Sequence, residues 1–144
     1  MTQGRILLVG EDELFHQRLH GILEKERGLE IVGDCTSVEA ALCQIDTLVP
    51  NIVLSEFWLS GMDRVIEACR RLTISGFACD VIILCGGQWP ISNASATGAA
   101  DYFYKDGKPE KIINAIRLAC RLQLLMAKLE TDYYRISSRD AILL

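Results

Sequence analysis

Several things are missing from this sequence, and each absence removes a class of function. No apolar run in the 144 residues approaches the roughly 20 positions needed to cross a bilayer. The first residues also lack the layout of a secretory signal, so a cytoplasmic location without membrane contact is expected. Basic residues are not in excess: 15 Lys and Arg face 19 Asp and Glu, a formal charge of −4. Such a balance lacks the electrostatic footprint of a nucleic-acid binder. No Gly-x-Gly-x-x-Gly or Walker loop follows the first apolar run, which leaves a nucleotide site unsupported. The six cysteines, Cys35, Cys43, Cys69, Cys79, Cys85 and Cys120, include no Cys-x-x-Cys pair and no regular spacing. Neither a zinc site nor a redox motif is indicated, and most read as small core hydrophobes. His16 and His20 lie one helical turn apart without a third ligand, so they read as a solvated helix face and no metal is expected.

What is present is a globular composition, half hydrophobic and 24% charged, of a size for one domain. Arg5 to Val9 is an apolar strand that stops at Gly10, followed by Glu11, Asp12 and Glu13. Leu14, Phe15, Leu19, Ile22 and Leu23 then mark one face of a helix ended by Gly28. Leu29 to Gly33 is a second strand, and Thr36 with Glu39 makes a capping box for a helix through Ala40, Ala41 and Leu42. Pro50 closes the loop before Ile52-Val53-Leu54, a short buried strand with Glu56 at its end. Ser60-Gly61 supplies a turn, and Asp63 is placed to cap a helix with Val65, Ile66, Cys69 and Leu72 inward. Val81 to Leu84, the most uniformly apolar strand, is expected at the centre of the sheet. Gly86 to Thr97 occupies a helix slot but holds two glycines and Pro90, which predicts a short or irregular helix. Gly98 to Asp101 leads into a fifth strand, Tyr102 to Tyr104, ending at Lys105, and Pro109 opens a long final helix.

Five strands alternating with helices predict an α/β fold: a doubly wound, parallel five-stranded (βα)5 sheet with an extended C-terminal helix. The strand ends then gather Glu11 and Asp12, Glu56, Cys85 and Lys105 in one place, where ligands of open α/β sheets collect.

These residues resemble the receiver domain of two-component response regulators, a flavodoxin-like, CheY-like fold. The resemblance covers about residues 4–130. It is carried by Val-Leu-x-acid-x-x-x-x-Gly-Met-Asp (Val53 to Asp63), by Gly-Ala-Ala-x-Tyr-x-x-Lys (Gly98 to Lys105) and by the five-fold βα rhythm. It implies a phosphoacceptor at the Glu56 position and an acidic pocket holding Mg²⁺ at Glu11 and Asp12. It also implies switch positions at Cys85 and Tyr102 and a phosphate-binding lysine at Lys105. Three of these side chains depart from the family. Glu56 stands where an aspartate is usual, Gly10 precedes Glu11 where an acidic pair is usual, and Cys85 replaces a Ser or Thr. The added methylene displaces a nucleophile whose chemistry is almost all positioning. The altered acids leave no cofactor expected, and a thiol is a weaker hydrogen-bond donor than a hydroxyl. Either Glu56 pairs with Lys105 and mimics part of the active state, or the pocket is inactive and Glu56 is a tolerated surface acid.

The expected function is thus an atypical, non-enzymatic receiver acting through protein contacts. Its alternatives are a receiver that is still phosphorylated, a small-ligand sensor, or a redox sensor whose Cys85 thiol is activated by Lys105. A flavodoxin-like enzyme is the rival on fold grounds alone. The final helix carries two stripes. Ile112, Ala115, Ile116 and Ala119 face the sheet, while Leu118, Leu122, Leu125 and Leu129 have the 4-3-4 spacing of a coiled-coil seam and predict a homodimer interface. Residues 136–144 resemble the opening of a LuxR/NarL-type helix-turn-helix, with Ser137 and Asp140 as its cap, and Lys105-Asp106-Gly107 fits that subfamily. The expected organisation is a receiver core over 1–118, an extended helix and linker over 119–135, and the start of an output domain over 136–144. A sensor histidine kinase is the implied partner, and DNA would be reached only through that output domain.

Overall fold

The computed structural model describes residues 4–56, 61–86 and 98–143, with side chains up to residue 136. Five strands, β1 (Gly4–Val9), β2 (Leu29–Cys35), β3 (Ile52–Glu56), β4 (Asp80–Cys85) and β5 (Asp101–Tyr104), form one sheet in the order β2-β1-β3-β4-β5. Every pairing is parallel. Helices α1 (Glu13–Leu23), α2 (Val38–Leu48), α3 (Met62–Ile74) and the C-terminal α4 (Pro109–Leu143) cover it. β3 therefore holds the central place expected of β4, which lies one strand nearer the edge. Apolar content reports burial on both faces, and β3 and β4 share that equally.

Alternation along β1 divides the core. Leu7 and Val9 pack with α2 and α3, while Ile6 and Leu8 pack with α1 and α4. On α4, Ile112, Ile116 and Cys120 are buried against the sheet. The helix starts moved by a residue or two from their sequence signals. Ser37, not Thr36, caps α2 and accepts the Ala40 N–H at 3.1 Å. Gly61 stands at the start of α3 with φ +88°, a left-handed turn that suits glycine, and Asp63 falls inside the first turn. On α1, Leu14 is exposed while Phe15, His16, Leu19 and Leu23 are buried. The expected irregular segment lies in residues 87–97, outside the described residues, as do Trp58 and Ser60. Among the described residues, no helix is long and apolar enough to cross a membrane.

The extended helix is present: α4 runs 35 residues without a break, about 52 Å at 1.5 Å per residue. Gln123 anchors it to the sheet: its side-chain amide donates to the Asn51 carbonyl at 3.0 Å and to Asp80 at 2.8 Å. Leu118, Leu122, Leu125 and Leu129 are all more than half exposed. Helical backbone continues through Ser137 and Asp140, where a new capped helix was expected; their side chains lie outside the described residues.

Candidate functional site

Parallel strands carry their carboxyl ends to one edge, and there β1, β2 and β3 deliver Gly10, Asp34 and Glu56. Glu56 is only 8% exposed. It is therefore not a surface acid, and its charge needs partners. One carboxylate oxygen takes a hydrogen bond from the Lys105 ammonium; the other accepts the Asp12 N–H at 3.0 Å. The Glu56–Lys105 pair, one of the two arrangements left open by the sequence, is thus present.

Asp12 does two jobs. One oxygen caps α1 by accepting the Phe15 N–H at 3.1 Å, and the other takes Lys105 at 2.8 Å. The Lys105 ammonium also sits 4.7 Å from the centre of the Phe15 ring, a cation–π contact. Glu11 is exposed at the rim.

Sequence reasoning missed three members of this cluster, His16, His20 and Asp34. His16 is buried at 6% exposure, with Nδ1 2.7 Å from Asp34 and Nε2 3.6 Å from Glu56. His20 meets the other oxygen of Asp34 at 2.9 Å. The reading of His16 as a solvated face fails because α1 packs beside β2, so that His16, on the buried side with Phe15, Leu19 and Leu23, meets Asp34 and Glu56. An available signal was the placement of His16 one turn beyond the capping residue Asp12. Asp34, one residue before the end of a strand flanking β1, was the other.

The charges hold one another. Burial pushes the Glu56 carboxyl up, but His16, Lys105 and the Asp12 N–H outweigh it and hold it at about 2. Glu56 raises the imidazole of His16 above its ordinary value, against the opposing effect of burial and with help from Asp34. Desolvation works to lower Lys105, yet Asp12 and Glu56 leave it raised; Lys105 in turn lowers Asp12.

A pH dependence follows. His16, raised when folded, contributes stability that is complete below its ordinary value of 6.5 and is lost as pH climbs through the raised one. Glu56 contributes above its ordinary 4.5 and loses that contribution as pH falls toward about 2. Thermal unfolding across pH should therefore show a plateau between these ordinary values, with a declining alkaline limb. His16→Gln should flatten that limb; an equally steep limb in the variant would exclude His16 as its source.

The other positions named from sequence lie apart. Cys85 is fully buried in the apolar layer under α2 and α3, and burial alone raises its thiol. Lys105 meets that residue through the backbone, its N–H donating to the Cys85 carbonyl at 2.8 Å. Lysine activation of this thiol is therefore not what the geometry provides. Tyr102 is half-buried against the same layer.

The residues present do not fit Mg²⁺. That ion needs oxygen lone pairs in near-octahedral array. Here all four carboxylate oxygens of Glu56 and Asp12 are already engaged by N–H groups or by Lys105. Among the described residues, no group of three or more His, Cys, Asp or Glu could hold a metal ion.

Comparison with known proteins agrees with the fold. Residues 6–117 match the family described as response regulator receiver domain. The response regulator UvrY of Escherichia coli (strain K12) is 29% identical over 114 residues, 78% of this chain and 52% of that protein. The transcriptional regulatory protein LiaR of Bacillus subtilis (strain 168) is 26% identical over 122 residues, 81% of this chain and 56% of that protein. This chain thus spans about half the length of the curated relatives it matches. A solved DNA-binding response regulator of the LuxR family from Staphylococcus aureus superposes with a TM-score of 0.66 at 18% identity. That match covers 81% of this chain and 98% of the solved one.

Proposed function

Since the chain belongs to the response regulator receiver family, we propose that it is an atypical receiver that signals through protein contacts without ordinary phosphoryl transfer. One observation carries the reading. The carboxylate at the phosphoacceptor position is buried and already bonded to Lys105 and to the Asp12 N–H. In-line transfer is almost all positioning, and donors on both oxygens hold a Glu56 carboxylate that is one methylene longer than the usual aspartate. The same pair favours the version in which Glu56 mimics part of the active state, since its negative charge is held against the lysine that would bind a phosphoryl group.

Incubation with acetyl phosphate and Mg²⁺, followed by intact-mass measurement, is the test. The mass is expected to stay unchanged. A phosphoryl adduct that disappears in Glu56→Ala would show that the site still accepts phosphate and would sink the proposal. A sensor histidine kinase is the partner the family implies for such a surface, and a DNA-binding output would act as the effector.

The second part of the proposal is a homodimer through α4. Leu118, Leu122, Leu125 and Leu129 stay more than half exposed on α4, and a groove of about 410 Å³ opens beside Leu118, Leu122 and Met126. Sedimentation of the chain should give a dimer, and Leu122→Glu with Leu125→Glu should give a monomer of unchanged helicity. A wild-type monomer at high micromolar concentration would remove this part.

A further inference from the structure

Gly10 has no backbone reason to be glycine. Positive φ occurs at Gly28, Gly61, Gly76 and Gly98, and Gly10 is not among them. It has a spatial reason instead. A Cβ at position 10 would lie 1.7 Å from Oε2 of Glu56, 2.4 Å from its Cδ and 2.6 Å from its Cγ. The outer half of the glutamate fills the volume that any other side chain on residue 10 would occupy.

We infer that Gly10 and Glu56 are one interlocked replacement, in which the carboxylate of β3 takes the seat of a side chain on β1 and so closes the pocket to a divalent cation. This rests on the receiver reading above. Two apparent losses, an acid missing from β1 and an acid lengthened on β3, become one compensated change. With a side chain on residue 10 the Glu56 carboxylate must leave its present seat, and with a shorter acid on β3 the glycine leaves that seat empty. The seated carboxylate then meets donors rather than a metal: Lys105, the Asp12 N–H and the nearby His16 ring, itself held by Asp34.

The test compares wild type, Gly10→Asp, Glu56→Asp and the double variant, by thermal unfolding in EDTA and in millimolar Mg²⁺ and by Mg²⁺ titration calorimetry. Gly10→Asp alone is expected to lower the midpoint by roughly 10 °C, through overlap and like-charge crowding. Adding Glu56→Asp should recover most of that loss and confer a Mg²⁺-dependent upward shift absent from the wild type. A second cycle separates space from charge: Gly10→Ala should destabilise the wild type but add nothing to Glu56→Ala. Additive losses in both cycles would overturn the interlock. Coupled cycles with no Mg²⁺ gain in the double variant, or a Mg²⁺ shift of equal size in the wild type, would overturn closure to the cation. Phosphorylation of wild-type Glu56 would defeat the functional proposal, while the two cycles decide the interlock independently.

Discussion

Lys105→Met is expected to cost about 3 kcal/mol, because it strips a buried carboxylate of its cation while leaving the carboxylate in place. The wild-type pair itself need not be that favourable, since both groups were desolvated to form it. The loss comes from abandonment. Glu56 would retain the Asp12 N–H and the more distant His16 ring, too little to replace an ammonium shared with Asp12. Urea unfolding should register the change as a lower midpoint at constant slope. Adding Glu56→Gln should recover much of it, since a neutral amide no longer needs the cation. If Lys105→Met proves neutral, or if the two losses simply add, the network does not hold the site as described.

Ile116→Ala should cost as much or more, about 3–4 kcal/mol, by opening a cavity where α4 meets the sheet. Ile116 is fully buried in the cluster that includes Ile6, Leu8, Leu84 and Phe15. Nine residues further along the same helix, Leu125 is about half exposed, and Leu125→Ala should change monomer stability by no more than about 0.5 kcal/mol. Equilibrium unfolding of both variants at low protein concentration makes the comparison. Equal losses would mean that the domain boundary on α4 has been drawn in the wrong place.

These contrasts show where local pattern was sufficient. The apolar run of β1 and the 3.6-residue period along α4 report which positions meet apolar neighbours, and burial follows them from Ile6 to Cys120. Leu14 broke the rule because the buried face of α1 runs through Phe15, His16, Leu19 and Leu23 and leaves Leu14 on the other side. Ser37 displaced Thr36 as cap because either hydroxyl satisfies the local signal, and the orientation of β2 into α2 selects between them.

The candidate site was legible as a list and not as a circuit. Glu56, Asp12 and Lys105 could be named because parallel strands must deliver their ends to one edge. His16 and Asp34 could not be joined to them, since that contact depends on how far α1 rotates over β1. Cys85 was placed with the cluster by topology, but its side chain points into the apolar layer, a choice made by strand alternation at one residue.

The sequence by itself determined the five-strand βα order, the parallel sheet, the acid and lysine at its carboxyl edge, and the spacing of the exposed leucines on α4. Each follows from periodicity and connection length, which are properties of neighbours along the chain. Only the tertiary structure decided that Glu56 lies buried in the space left by Gly10, with Lys105 and His16 around it. Those residues are far apart in sequence, and whether one methylene fits is a matter of close packing across strands, where a single ångström separates a contact from an overlap.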